Sequence, residues 1–263
     1  MTALDTVPAG GFRYAVQDAL TLAGRNLRHT TRQPELLVFS TIQPVLFVLL
    51  FRYVFGGSIR TGSLSYVNFL MAGIFVQTIA FASTTTGVGL AEDFTKGIID
   101  RFRSMPISRS AVLAGRTLGD LVRMVGVVLI MAVVGFAVGM RPASFLGLVG
   151  AIGLTALFGF AFSWISAWIG LLVRDVETAN VAGFVWLFPL TFASSAFVQV
   201  KTLPGWLQAF ANHTPVTPTV DAVRAMLNDG LPLQRPLLIS LGWIIGLIVV
   251  FSLLSVRRYR QVA

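Results

Sequence analysis

Residues 92–116 read EDFTKGIIDRFRSMPISRSAVLAGR, a charged, helix-capable island between two hydrophobic stretches long enough to cross a bilayer. Phe94, Ile98, Ile99 and Phe102 are spaced to form an apolar stripe, while Lys96, Arg101 and Arg103 alternate with Asp93 and Asp100. Met105-Pro106 then stops the helix, and Ser108 is placed to cap the next one. A helix with one apolar face and a charged remainder, held at a membrane surface, suits docking into a groove on another protein; a plain solvated surface helix has the same composition. Catalysis is poorly provided for. His29 and His213 fall on opposite sides of the expected membrane, no carboxylate cluster has metal-binding spacing, and Asp175 and Glu177 point to different helical faces. The absence of cysteine excludes disulfides, thiolate metal sites and thiol nucleophiles. No G-x-x-x-x-G-K-[ST] occurs, so ATP would have to be bound by another polypeptide.

The elements that position the island follow from composition. With 55% hydrophobic residues, 12% charged residues and a mean hydropathy of +0.79, the 263 residues cannot present a polar surface and are expected to form an all-α polytopic membrane protein. Hydrophobic runs at 36–55, 66–90, 118–140, 145–173, 180–198 and 237–256 give six expected spans. Gln43-Pro44 implies a kink or a polar inward face in the first, and the fourth is too long for an upright helix, so it must tilt or break. Before them, Phe12, Val16, Leu20, Ala23 and Leu27 recur at helical spacing, the pattern of an amphipathic helix over 12–31 lying in the membrane interface, or of a small cytosolic helix packed on other loops. An even number of spans puts both termini on one side. Fourteen of the 20 Lys and Arg fall on the side of the tails, the island and Arg174, which places these in the cytoplasm of a multi-pass protein. The same placement accounts for the net charge of +9 without nucleic acid.

Polar residues at mid-span positions are candidates for a transport path. Gln43, Gln77, Thr84, Thr85, Ser163, Ser194 and Ser195 are of this kind, with phenylalanines and Trp164 supplying apolar contact; each is equally suited to interhelical bonding. Gly135 with Gly139, and Gly242 with Gly246, have the spacing that permits close helix contact. Residues 203–227, with Pro204, Trp206, Phe210, Pro215 and Pro218, are too apolar for free solvent and too broken by proline for a span. They fit a segment dipping back into the outer membrane, or a loop resting on headgroups, and Trp206 fits an interfacial anchor.

The island resembles the cytoplasmic segment of the ABC-2 transporter family: an acidic pair, a glycine, an aliphatic turn, then Arg, Ser, Pro, Ile and Ser, closed by Gly-Arg. Here these are Glu92, Asp93, Gly97, Ile98, Ile99, Arg101, Arg103, Ser104, Pro106, Ile107, Ser108, Gly115 and Arg116. Arg32-Gln33-Pro34-Glu35, Ile42-Gln43-Pro44-Val45 and Phe51-Arg52-Tyr53-Val54-Phe55-Gly56-Gly57 are similar to the first span of its daunorubicin-resistance-type drug-export permeases. Leu203-Pro204-Gly205-Trp206 with Asn212, Pro215, Asp221, Ala222 and Arg224 is similar to their outer loop, except that His213-Thr214 separates Asn212 from Pro215. The resemblance implies a plasma-membrane permease that exports amphipathic drugs or lipids, paired with a second protomer as a homo- or heterodimer and driven by two ATPase subunits that hold ATP and Mg. It makes 95–103 the coupling helix seated in the ATPase, puts 12–31 on the inner leaflet, and makes 203–227 a re-entrant outer gate that includes Trp206, Asn212, Pro215, Asp221 and Arg224. Export of a polysaccharide or teichoic-acid precursor is an alternative within the family. An ion-coupled secondary transporter is one outside it, although nearly all charges fall at expected span ends. A membrane-embedded transferase would need paired acidic residues at a span end.

Overall fold

The computed structural model describes residues 34–55, 65–98 and 109–262. The expected interface helix at 12–31 and the part of the island at 99–108 lie outside the described residues. What is described is all-helical: no strand occurs among those residues.

Helix α1 (Pro34–Leu49) carries Pro44 in its interior and continues into a π-helical turn, Leu50–Phe55. The next helices, α2 (Tyr66–Ala82) and α3 (Thr84–Thr95), meet at Ser83 and together make one bent apolar rod of 30 residues. Four consecutive hydroxyl residues set that bend. Ser83, Thr84 and Thr85 each return a side-chain hydrogen bond to the carbonyl three residues back, competing with the helical ladder. Gly97, at φ +66°, turns the chain away after α3, a left-handed conformation natural to glycine at a helix end. Thr95, the expected start of the coupling helix, is the last residue of α3, so a turn at Lys96 and Gly97 separates the rod from Ile98.

Helix α4 (Arg109–Ala137) begins one residue after Ser108. Helix α5 (Phe145–Val173) runs 29 residues without interruption, capped by the Ser144 hydroxyl and ended by left-handed Arg174; of the two ways a long run fits a bilayer, a break is excluded. Helix α6 (Val176–Phe192) starts on Asp175, whose carboxylate accepts from the Thr178 hydroxyl at 2.6 Å and the Thr178 backbone N–H at 2.8 Å. Those two bonds, the hydroxyl first, hold the Asp175 carboxyl below its ordinary pKa. After a 3-10 turn, α7 (Gly205–Asn212) and α8 (Val216–Leu227) are too short to cross a membrane, and α9 (Gln234–Val262) closes the chain.

Four segments are long and apolar enough to cross: Tyr66–Thr95, Leu113–Ala137, Phe145–Val173 and Gln234–Tyr259; Thr41–Val54 and Val176–Phe192 are shorter apolar helices. The protein is an integral membrane protein. The rod α2–α3 is the hub, 89% of its apolar window being enclosed, against 11% for α9. Phe75, Phe158, Phe162, Met71, Met124 and Met131 fill the centre, while Val133, Val185, Leu238 and Ile245 face outward, which lipid tolerates and water would not. Because lipid is as apolar as leucine, close packing rather than apolar burial must hold such helices together. One close backbone approach joins α3 to α5. A Cβ on Gly170 would sit 2.3 Å from the Gly87 carbonyl oxygen, and one on Gly87 would sit 2.3 Å from that of Ser166. Gly139, Gly242 and Gly246, three of the four glycines singled out by spacing, have nothing near that position.

Candidate functional site

One end of the bundle gathers the charged end of α3, the start of α4 and the ends of α5 and α9. Asp93 is ion-paired with Arg116, both side chains about one-fifth exposed at 22% and 21%. Arg116 lies across Gly89, where a Cβ would collide with its guanidinium. Glu92 pairs with Lys96 one turn on, in the open. Phe94 lies under the Arg174 guanidinium, 5.8 Å from ring centroid to carbon, and packs on a compact cluster of Leu90, Leu113, Trp164, Ala167, Leu171 and Tyr259. The Ser255 hydroxyl, on α9, donates to the Trp164 carbonyl at 3.2 Å. The charged end of α3 is therefore clamped to three other helices by an ion pair, a cation over an aromatic face and an apolar cluster.

Further along the rod, at the Ser83 bend, α4 contributes a second polar contact. Arg123 donates from Nη2 to the Ala82 carbonyl at 2.9 Å and to the Thr85 hydroxyl, and its Nε lies 3.5 Å from Asp120. Asp120 in turn accepts from the Thr86 hydroxyl at 2.6 Å. Beside this contact lies a cavity of about 150 Å³ lined by Gln43, Pro44, Phe47, Gln77, Thr78, Phe81, Ala82, Thr85, Arg123, Val127 and Phe184. Phenylalanines continue from it: Phe47 neighbours Phe51 and Phe192 at 6.0 and 6.3 Å, and Phe51 and Phe192 each stack on Phe197 at 4.7 and 5.3 Å.

At the opposite end, Asn68 ties the loop after α4 to the end of α8. Its amide donates to the Arg141 carbonyl at 2.8 Å and to the Asn228 side chain at 3.0 Å, and its carbonyl accepts from the Arg141 N–H at 3.0 Å. Arg224, almost wholly buried, lies 3.8 Å over the Phe69 ring, pairs with Asp221 at 3.0 Å and donates to the Ser195 carbonyl at 2.8 Å. Tyr66 donates to the Phe51 carbonyl, so α1 finishes at this end and begins toward the other, as α9 finishes there.

The residues singled out by sequence thus separate. Glu92, Asp93, Gly97 and Ile98 stand at the clamped end, whereas Ile99, Arg101, Phe102, Arg103 and Pro106 lie outside the described residues. Gln43 and Gln77 both line the cavity. Thr84 bends the rod, Ser163 and Ser194 donate to carbonyls of their own segments at Gly159 and Thr191, and Trp164 belongs to the apolar cluster, so these four do not line the cavity. Asp221 and Arg224 share a contact on α8, and Pro215 precedes that helix, while Trp206 and Asn212 are exposed on α7. The two residues between Asn212 and Pro215 finish α7: the Thr214 hydroxyl donates to Ala211, and His213 Nδ1 lies 2.7 Å from the Ala209 carbonyl. Arg123, Asp120 and Asn68 were not anticipated as a path or gate; only their polar character inside apolar runs marked them. No group of three or more possible metal ligands occurs among the described residues.

Comparison with known proteins agrees with this architecture. The family model described as ABC-2 type transporter matches residues 17–228. A daunorubicin resistance ABC transporter permease protein of Streptomyces coeruleorubidus is 34% identical over 252 residues, covering 94% of this chain and 87% of the relative. A probable doxorubicin resistance ABC transporter permease protein of Mycobacterium tuberculosis is 25% identical, covering 95% and 90%. A putative transport permease of Cyanophora paradoxa is 23% identical, again covering 95% and 90%. With the match spanning both the clamped end of α3 and the Arg224 end of α8, the chain belongs to the ABC-2 type transporter family.

Proposed function

We propose that this protein is the permease subunit of an exporter that moves hydrophobic or amphipathic compounds outward across the plasma membrane, driven by ATP hydrolysis on a separate subunit. One observation carries the reading. The rod Tyr66–Thr95 bears cavity residues Gln77, Thr78, Phe81 and Thr85 along its length and the clamped charges Glu92 and Asp93 at its end, so a push at that end moves a cavity wall. The drug-resistance names of the relatives support an amphipathic cargo. A cavity of about 150 Å³ favours a small ring system over a polysaccharide chain.

On this reading the bundle has six spans. Helix α1, with 16 residues and a six-residue π-turn, rises about 30 Å, and the 17 residues of α6 rise about 25 Å, enough with modest bilayer thinning. Both termini and the Glu92 end are cytoplasmic, following the Lys and Arg distribution. Helices α7 and α8 are the re-entrant outer gate, fixed by Arg224 to Ser195 and Phe69. Two protomers, identical or not, work with two ATPase subunits that bind ATP and Mg, with lipid around them and no nucleic acid involved. The segment from Lys96 to Arg103 seats in the ATPase through Ile98, Ile99 and Phe102.

The test is to purify the chain with its ATPase and measure hydrolysis stimulated by cargo. Replacing Ile98, Ile99 and Phe102 together by Asp is expected to abolish co-purification while membrane insertion is kept. Normal co-purification and transport in the triple variant would remove the docking role.

A further inference from the structure

We infer that the cavity beside the Ser83 bend is a cargo subsite that takes one ring bearing hydrogen-bond acceptors, neutral or anionic, and rejects cationic groups, with Arg123 as the residue that sets this preference. The inference rests on the proposed export reading and names the chemistry of what that site accepts.

Size comes first. At about 150 Å³ the cavity matches an engineered core cavity that binds benzene, so it holds a single ring and leaves the remainder of an amphipath outside. Its walls divide by chemistry. Phe47, Phe81 and Phe184 give aromatic faces, with Phe81 and Phe184 5.5 Å apart. The polar wall is made by Gln77, Thr78 and Arg123. Gln77 and Thr78 are more than nine-tenths buried, at 6% and 7% exposed, and neither has a hydrogen-bond partner among the described residues. Both side chains line the cavity, where an occupant can bond to them.

The charge pattern fixes the sign. Arg123 commits Nη2 to Ala82 and Thr85 and Nε to Asp120, and has no partner for Nη1 among the described residues. Asp120, which pairs with Nε and accepts from the Thr86 hydroxyl, does not line the cavity. An occupant therefore meets the guanidinium and not the carboxylate. That orientation presents donors rather than acceptors to an occupant, which favours a carbonyl, phenolate or carboxylate over an ammonium. Arg123 also braces the bend through the Ala82 carbonyl, so a ligand that draws on it acts on the same rod that carries Glu92 and Asp93.

The experiment uses the full chain in lipid nanodiscs without any ATPase, and two probes of one shape and opposite charge, 2-naphthoate and 2-naphthylmethylammonium. Binding is read against empty nanodiscs, which set the partition baseline. 2-Naphthoate is expected to bind at least about ten-fold more tightly than the ammonium probe. Arg123→Gln is expected to bring the two within about two-fold, and Arg123→Lys, which keeps the charge, to retain the preference. Equal affinities in the unaltered protein, preference for the ammonium, or a preference unchanged in Arg123→Gln would each overturn the inference. Should Arg123→Gln fail to give folded protein, Gln77→Leu decides: 2-naphthoate binding is expected to weaken about five-fold, and unchanged binding counts against the site. No ATPase takes part, so a charge preference without ATP-driven transport would remove the export reading and leave the subsite, and transport without the preference would do the reverse.

Discussion

The Gly170→Leu protein is expected to lose its folded helix packing, with a stability loss of about 3 kcal/mol or more in detergent. Overpacking usually costs less because side chains can move aside, but here the obstacle is backbone. The added Cβ alone would sit 2.3 Å from the Gly87 carbonyl oxygen and 2.8 Å from the Gly87 carbon and Cα atoms. Relief requires α3 and α5 to separate, and separating them breaks the cluster of Leu90, Trp164, Ala167 and Leu171 that continues the same contact toward the charged end. Gly153→Leu, on an exposed face of the same helix with nothing near its Cβ position, is the control and should change stability by less than about 0.5 kcal/mol. Thermal unfolding of the two purified variants checks the pair. Equal melting temperatures would mean that the α3–α5 approach does not hold the bundle together.

The second large effect is at Arg116. Arg116→Ala removes the Asp93–Arg116 ion pair that ties the end of the rod to α4, while the Phe94 cluster remains. Because both partners are only about one-fifth exposed, the pair is worth more than an ordinary surface ion pair. On the proposed reading, Arg116→Ala still binds the ATPase, since docking belongs to the segment from Lys96 onward, but cargo-stimulated hydrolysis falls about ten-fold, equivalent to about 1.4 kcal/mol of lost coupling. Exchanging the two charges, Asp93→Arg with Arg116→Asp, should recover part of that loss where each single change does not, which a double-mutant cycle measures. If Arg116→Ala and the unaltered protein show equal stimulation, the ion pair carries no motion.

Much of the helical framework was legible because a hydrophobic run of span length needs no tertiary information: residues 145–173 read as a span from composition and form the single helix α5. What escaped the reading depends on partners far away in sequence. Thr84 looks like a path residue, yet its hydroxyl bonds back to the Phe81 carbonyl, whereas Thr85 does line the cavity while accepting from Arg123 of α4. Ser163 and Ser194 look like cavity residues, but a hydroxyl in a helix can satisfy itself on the preceding turn, and both do. Small residues four apart advertise close packing, whereas one backbone approach that does occur joins Gly87 to Gly170, a pairing that helical spacing does not contain. Arg123 read as a span-end charge. Its reach to Ala82 and to the cavity shows only once α4 is set against the bend. Of the path candidates, Gln43, Gln77 and Thr85 do share a cavity.

The most direct measurement uses the absence of native cysteine. In a Lys96→Cys protein, the single thiol sits in the exposed turn after α3 and is open to a membrane-impermeant maleimide from one side only. Labelling in inverted vesicles but not in intact cells, and protection of that thiol when the ATPase is bound, is the result expected if the charged end of the rod faces the cytoplasm and receives the driving subunit. Labelling from outside intact cells, or reactivity that the ATPase leaves unchanged, would contradict it.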